Sequence, residues 1–86
     1  MNITAQNTFT PAVFVQAGDP FDVSVSGTFV ATVTLQRSKD GTNWRDADTI
    51  TSPSEWTGES GSAWWFRIGV KTGNYTSGTV TVELYA

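Results

Sequence analysis

The sequence predicts an all-β fold: a compact antiparallel β-sandwich, immunoglobulin-like or jelly-roll-like, built from seven or eight short strands. Its 86 residues are dominated by Thr, Val, Ser, Gly and aromatic residues, the composition of strands and turns. Several segments alternate apolar and polar residues with a period of two, and no segment of useful length shows the apolar spacing of a helix. One-sided alternation favours antiparallel sheets. The length fits one domain spanning residues 1–86.

The N-terminal segment has a weak strand pattern. The stretch NITAQNTF alternates only through Ile3, Ala5 and Phe9, and Pro11 cannot donate to a strand ladder. Residues 1–12 are therefore a candidate arm that becomes ordered when it docks on a neighbour. The segment also lacks the basic region and apolar run of a signal peptide, so we expect synthesis in the cytosol.

The segments that follow predict clearer strands. AVFVQ is a short apolar strand, and Gly, Asp and Pro at 18–20 form a turn. In FDVSVSG the inward residues are Phe21, Val23 and Val25, and Gly27 bends or breaks the chain. The closing strand TVTVELYA has an apolar face as well. The clearest strand, TFVATVTLQRS, has an inward face of four residues: Phe29, Ala31, Val33 and Leu35.

A hairpin follows at SKDGTNW, residues 38–44. A two-residue loop would set aspartates against the core face. A three-residue loop with a left-handed Gly41 places Val33 opposite Ala47 and keeps apolar residues together. Because a slip of one residue moves every side chain to the other face, we predict the three-residue loop. It puts Trp44 on the polar, outward face.

The strand SAWWFRIGV raises the main functional question. Side chains alternate between the two faces of a strand, so adjacent tryptophans cannot both face one core. We predict that Trp64 is in the core and that Trp65 lies outside beside Arg67. Three covers for Trp65 remain open: its own loop 52–62, with Trp56 folded over it; another subunit or another protein; or a stacked sugar ring. Because Trp and Arg are favoured at interface centres, the predicted partner-binding residues are Trp65, Arg67, Trp44 and Trp56.

Composition and charge disfavour several functional classes. The chain has no cysteine and no histidine, which removes disulfides, thiolate metal sites and the commonest general base. The net charge is -3 and the five basic residues form no run, whereas nucleic-acid binders carry a basic stripe. No apolar stretch is long enough to span a membrane.

Two acidic groups are candidates for chemistry. Asp40, Asp46 and Asp48 are close in sequence, but their spacing fits no EF-hand loop. Glu55 and Glu59 flank a tryptophan, and paired carboxylates can hydrolyse glycosides, but so short a chain has little volume for a cleft. We therefore predict no catalytic, cofactor-binding or metal site, and no enzymatic activity.

Four segments resemble parts of small all-β structural proteins encoded by tailed bacteriophages. They are a strand ending in TLQRS, the turn SKDGTNW, the strand FRIGVKTG and the closing strand YTSGTVTVEL. The resemblance covers residues 21–86 and leaves the N-terminal segment unplaced. SKDGTNW is also similar to the Asp-box turn of sialidase-like propellers, though one residue short between Asp40 and Trp44, and to turns of discoidin-type sandwiches. In all these proteins the turn is structural, so it implies no catalytic role.

The resemblance implies a non-enzymatic virion component. Our leading expectation is a capsid decoration (cement) protein that binds the outer capsid surface and stabilises the shell. The alternatives are a tail, neck or fibre-associated module and a carbohydrate-binding module that contacts cell-surface glycans. Expected partners are further copies of the chain, with a trimer favoured by analogy, and the major capsid protein or another virion protein. We expect synthesis in the cytoplasm of the bacterial host and residence in the virion.

Overall fold

The computed structural model describes residues 1–85, where every regular element is a β-strand. The strands are β1 Asn2–Ile3, β2 Thr8–Phe9, β3 Val13–Val15, β4 Pro20–Ser26, β5 Phe29–Ser38, β6 Arg45–Ile50, β7 Ser54–Glu59, β8 Trp64–Gly78 and β9 Val80–Tyr85. Sheet A has the order β1-β9-β4-β7. Sheet B has the order β2-β8-β5-β6, and β3 also pairs with β8. The predicted all-β antiparallel sandwich is confirmed, with nine strands rather than seven or eight.

The centre of both sheets is a long two-stranded ribbon that bends over the core. β4 pairs with β9 in sheet A, and beyond a bend the same two chain segments continue as β5 paired with β8 in sheet B. Gly27 and Gly78 at the bend have φ angles of 100° and 91°, which glycine adopts at little steric cost. A side chain on Gly27 would also collide with the backbone of Thr79, and one on Gly78 with that of Thr28. The bend predicted at Gly27 thus carries the chain from one sheet to the other.

The core lies between the inner faces of the two sheets. Inward residues of β4 and β9 meet inward residues of β5 and β8, as the alternation predicts. Fully burying one such aliphatic or aromatic side chain stabilises the fold by roughly 1.5–3 kcal/mol, so the apolar face of each strand sets its orientation. The buried apolar residues are Ile3, Val15, Phe21, Val23, Val25, Val33, Leu35, Ile50, Phe66, Ile68, Val70, Val80 and Val82.

The N-terminal segment, the candidate arm, is part of both sheets. Asn2 and Ile3 pair with β9 at the edge of sheet A, and Ile3 is fully buried. The chain then crosses to sheet B, with Asn7 at a φ of 53°, and β2 pairs with β8. The segment therefore packs on its own chain here. Its role in docking on a neighbour stays a prediction.

The β5–β6 hairpin has a longer connection than the sequence predicted. Arg37 pairs with Arg45, so the connection spans residues 39–44, and Ser38 ends β5 opposite Trp65 of β8. A register shift in the ladder then sets Val33 opposite Ile50 instead of Ala47. The predicted register was wrong because hydrogen bonds from the Ser38 and Asp40 side chains close a wider turn. A bulge between Leu35 and Gln36 then matches Val33 with Ile50 and sets Leu35 opposite Asp48.

The segment 52–62, predicted as a loop over Trp65, contains strand β7. β7 pairs with β4 in sheet A and sets Trp56 opposite Val23. Paired side chains point to the same face and Val23 is buried, so Trp56 packs against the core. The hypothesis that Trp56 covers Trp65 is therefore wrong. The alternation in SEWTGE marks a strand, which the sequence analysis took for a loop.

Candidate functional site

The outer face of sheet B carries an aromatic surface around one arginine. Its members lie on strands β2, β3 and β8 and at the end of the β5–β6 connection, and we call this surface the aromatic face. Three predicted site residues, Trp65, Arg67 and Trp44, belong to it, whereas Trp56 packs inside the other sheet. The aromatic face consists of Phe9, Phe14, Trp44, Trp65 and Arg67.

Arg67 is held between two aromatic rings. Its Cζ atom lies 4.2 Å from the ring centroid of Phe9 and 4.5 Å from that of Trp44. Such cation–π contacts stabilise by about 0.5–1 kcal/mol at exposed sites. Partial burial lowers the pKa of Arg67 below its ordinary value, but an arginine remains charged. The guanidinium plane is thus fixed before any partner arrives.

A network of hydrogen-bonded polar side chains holds the Nε edge of the Arg67 guanidinium. Its Nε donates to Oε1 of Gln36 at 2.8 Å, and Nε2 of Gln36 donates to Oδ1 of Asp46 at 3.0 Å. Lys71 donates from Nζ to the other oxygen of Asp46 at 2.8 Å. The bonds from Lys71 and Gln36 hold the pKa of Asp46 below its ordinary value. Within residues 1–85, the two terminal nitrogens of Arg67 meet no hydrogen-bond acceptor.

Trp65 is half-buried, and its cover comes from its own chain. The ring of Phe14, on the neighbouring strand β3, lies 5.1 Å from the Trp65 ring at 59°. On the other side the β5–β6 connection reaches the indole, because a Cβ on Gly41 would lie 3.7 Å from Cδ1, Cε2 and Nε1 of Trp65. Phe14 is itself 43% exposed. Trp65 is therefore the more buried residue of this aromatic pair, and Phe14 is the more exposed one.

The turn that covers Trp65 is organised by one carboxylate. Oδ1 of Asp40 accepts hydrogen bonds from the backbone N–H groups of Thr42 and Asn43, both at 2.8 Å, and from the Ser38 hydroxyl. These bonds hold the pKa of Asp40 far below its ordinary value of 3.8. Gly41 has a φ of 76°, so its left-handed conformation is confirmed. The buried Ser38 hydroxyl also accepts the Gly41 N–H at 3.0 Å.

Close approach of β2 makes room for the aromatic face. Phe9 is paired with Gly69, and a Cβ on Gly69 would lie 2.6 Å from the Phe9 Cα and 2.8 Å from its ring. No side chain other than hydrogen fits at this position. Gly69 thereby lets Phe9 lie over the sheet and reach Arg67.

Trp64 lies on the inner side of β8, as alternation predicts, but it is only half-buried. It packs against the core at the open end of the sandwich. Its outer ring face is covered by Arg37, with Cζ 4.4 Å from the centroid, and by Lys39, with Nζ 4.0 Å away. Two cations thus lie against the part of the Trp64 ring that the core leaves half-exposed.

Two members of the aromatic face, Phe9 and Phe14, were not predicted from the sequence as site residues. For Phe14 a signal was present: it lies between Val13 and Val15, so if those residues face the core, Phe14 must face outward. The pairing of β3 with β8, which sets Phe14 opposite Trp65, has no signal in the local pattern.

The outer face of sheet A is acidic, and we call it the acidic face. Its strands contain four carboxylates and no Lys or Arg. All five Lys and Arg residues lie on sheet B strands or on the β5–β6 connection. The two sides of the sandwich therefore differ in charge. The carboxylates of the acidic face are Asp22, Glu55, Glu59 and Glu83.

The described residues, 1–85, contain no cluster of three or more potential metal ligands. They also contain no helix of the length and apolarity needed to cross a membrane. A surface depression of about 510 Å³ lies between β5 and the end of β8, lined by residues such as Val30, Thr51 and Asn74. None of its lining residues belongs to the aromatic face.

Comparison with protein-family models, with curated proteins and with solved structures finds no match for this chain.

Proposed function

We propose that this protein is a non-enzymatic structural component of a bacteriophage virion, a decoration protein that binds the outer capsid surface and stabilises the shell. The observation that carries the proposal is the aromatic face, where Phe9 and Trp44 pack on Arg67 and Phe14 packs on Trp65, two positions before Arg67 on the same strand. Tryptophan and arginine at the centre of a surface are typical of protein–protein contacts. The wider assignment to a virion rests on the sequence resemblance.

The rigidity of the aromatic face supports a binding role. Arg67 is stacked between rings and bonded to Gln36, so little side-chain entropy is lost when a partner docks. Ordering a free arginine would cost about 0.5–1.5 kcal/mol. A decoration protein present in many copies would also gain stability from its contacts through mass action.

A protein partner fits the aromatic face better than a glycan does. Stacking of a sugar ring needs an open, flat aromatic face. Gly41 lies against the indole of Trp65, and Arg67 covers one face of Trp44. Phe14 and Trp65 are tilted at 59° to each other and form no common plane. We therefore keep glycan binding as the alternative that the experiments below must exclude.

Co-sedimentation with virus particles assembled without this protein tests the proposal. Purified wild-type protein should bind and sediment with the particles. Arg67→Gln should bind at least about tenfold more weakly, because truncating a central interface arginine costs about 2 kcal/mol. Arg45→Gln, at an exposed position outside the aromatic face, is the matched control and should bind like wild type. Absence of wild-type binding, or equal binding of the two variants, would contradict the proposal.

A glycan panel provides the second arm of the test. Wild-type protein is titrated while tryptophan fluorescence is followed, since Trp44 and Trp65 both lie on the aromatic face. No response is expected. A saturable response that Arg67→Gln abolishes would transfer the function to glycan binding.

A further inference from the structure

The free edge of Arg67 has the geometry of a carboxylate receptor. The rings of Phe9 and Trp44 pack on the guanidinium, and Gln36 accepts a hydrogen bond from its Nε. What remains is the pair of terminal nitrogens, which meets no acceptor among residues 1–85. A guanidinium fork of this kind binds a carboxylate through two parallel hydrogen bonds. The chemistry that fits the aromatic face is thus an acidic group on an otherwise uncharged or acidic surface.

The same chain presents such a surface on its other side. On the acidic face, Ser24 of β4 lies between Glu55 of β7 and Glu83 of β9 in register. Glu55 is exposed and accepts a hydrogen bond from Ser24 at 3.0 Å. The N-terminal ammonium of Met1 pairs with Glu83 at 2.9 Å. No Lys or Arg lies on the strands of this face, so Asp22, Glu55 and Glu59 leave it negatively charged. A second copy of the protein therefore carries the complement of the aromatic face.

Charge decides which faces of two copies can meet. Two acidic faces brought together would oppose Asp22, Glu55 and Glu59 with their own copies, Glu83 being paired with the Met1 ammonium. Two aromatic faces would oppose Arg67 with its own copy, since Lys71 beside it is already paired with Asp46. Like charges brought together in this way disfavour an interface. Pairing one aromatic face with one acidic face brings the free edge of Arg67 together with carboxylates that have no cationic partner within residues 1–85.

The broad sides of the molecule are large enough for this pairing. The principal extents are 36 × 24 × 17 Å, and the sheets of a sandwich pack about 10 Å apart, so the two longer extents bound the sheet faces. A specific interface of standard size needs about 800 Å² per partner. An interface of that size would occupy most of one sheet face.

We propose that copies of this protein associate head to tail, the aromatic face of one copy docking on the acidic face of the next, with Arg67 binding a carboxylate beside Ser24. This inference rests on the proposed function for the use of the aromatic face, and it names a second copy as the partner. Such a contact is heterologous, so each pair leaves one face of each kind free. Association then continues until a ring closes or a chain extends.

Charge-reversal variants in sedimentation velocity test the inference. Wild-type protein should form species larger than a dimer as its concentration rises, and high salt should dissociate them because it screens ion pairs. Arg67→Glu disables the aromatic face, and Glu55→Lys disables the acidic face. Each variant alone should sediment as a monomer at concentrations where wild type associates. Arg45→Glu and Asp48→Lys change the net charge equally on edge strand β6 and should associate like wild type.

The decisive sample is an equal mixture of the two variants. Arg67 of the Glu55→Lys protein can bind Glu55 of the Arg67→Glu protein, and the reversed pair is complementary too. The mixture should therefore associate although neither component does. Loss of folding cannot explain such rescue, and Glu55→Lys changes only an exposed side chain.

Three outcomes overturn the inference: a wild-type protein that stays monomeric at all soluble concentrations, a dimer that never grows, or a mixture that fails to associate. These outcomes are independent of the particle experiment. If wild-type protein binds particles but stays monomeric free in solution, the proposed function stands and head-to-tail association fails. If the variants behave as expected but no particle binds the protein, the proposed function fails.

Discussion

At the scale of single residues, Trp64 and Trp65 show how far alternation can be taken. The sequence predicts correctly that they lie on opposite faces of one strand. It does not predict that both are half-buried, because the covers come from elsewhere in the chain: two cations over Trp64, and Gly41 with Phe14 over Trp65. Burial of an outward residue depends on long-range pairing that no local pattern encodes.

Alanine variants of the two tryptophans should therefore lower the free energy of unfolding by different amounts. Trp64→Ala removes a ring that packs against the core and should lower the free energy of unfolding by about 3 kcal/mol. Trp65→Ala removes the contact with the Phe14 ring and the indole against which Gly41 packs. It should lower the free energy of unfolding by about 1–2 kcal/mol. Urea unfolding measures both values. Hydrogen exchange gives the control: Trp65→Ala should accelerate exchange at the Thr42 and Asn43 amides, and Trp64→Ala should not. Equal losses with unchanged exchange in the turn would contradict this account of Trp65.

Asp40 should make the turn sensitive to acid. Its pKa in the folded protein lies far below the ordinary value of 3.8, so the unfolded chain takes up the proton first as the pH falls. The stabilisation from Asp40 is thus complete above the ordinary pKa and is lost progressively below it. Asp40→Asn should unfold at lower urea than wild type at neutral pH, and the difference should shrink between roughly pH 4 and pH 2.

Asp48→Asn is the matched control for this measurement, because it removes an exposed carboxylate from β6 outside the turn. It should leave the unfolding midpoint close to that of wild type at neutral pH. A constant difference between Asp40→Asn and wild type across the acid range would show that the turn does not depend on the Asp40 charge.

At the scale of strands, the sequence predicted the long alternating elements and failed at the short ones. β4, β5, β8 and β9 each carry enough alternating residues to define an inner face. β1 and β2 have two residues each, too few for a pattern, and they are fixed by pairing with distant strands. The register predicted for β6 was wrong for a related reason, because side-chain hydrogen bonds set the length of the connection that precedes this strand.

The N-terminal segment should matter for stability. Ile3 is fully buried and pairs with Val80, so Ile3→Ala should cost about 2–5 kcal/mol in the free energy of unfolding. Thr4→Ala, at the exposed neighbouring position, should change it by less than about 0.5 kcal/mol. Thermal unfolding compares the two. If Ile3→Ala unfolds like Thr4→Ala, the segment is not anchored in its own chain and acts as the arm that the sequence analysis expected.

At the scale of the whole molecule, the sandwich separates charge as well as polarity. The sequence gives a net charge of -3 with no run of basic residues, and nothing in that number reveals an acidic face and a face centred on arginine. The separation appears only when β8 and β5 meet in one sheet and β4, β7 and β9 in the other. Three residues of the candidate site, Trp65, Arg67 and Trp44, could thus be named from the sequence. Their arrangement into one surface could not be predicted, because it depends on how the strands pair.

The most direct test of the central claim is the number and position of copies of this protein in intact virus particles. Quantitative mass spectrometry gives the copy number, and electron microscopy of particles with and without the protein gives its position. The decoration function predicts hundreds of copies distributed over the outer shell. A dozen copies or fewer at a single vertex would assign the protein to the neck or tail instead, and its absence from particles would contradict a virion role.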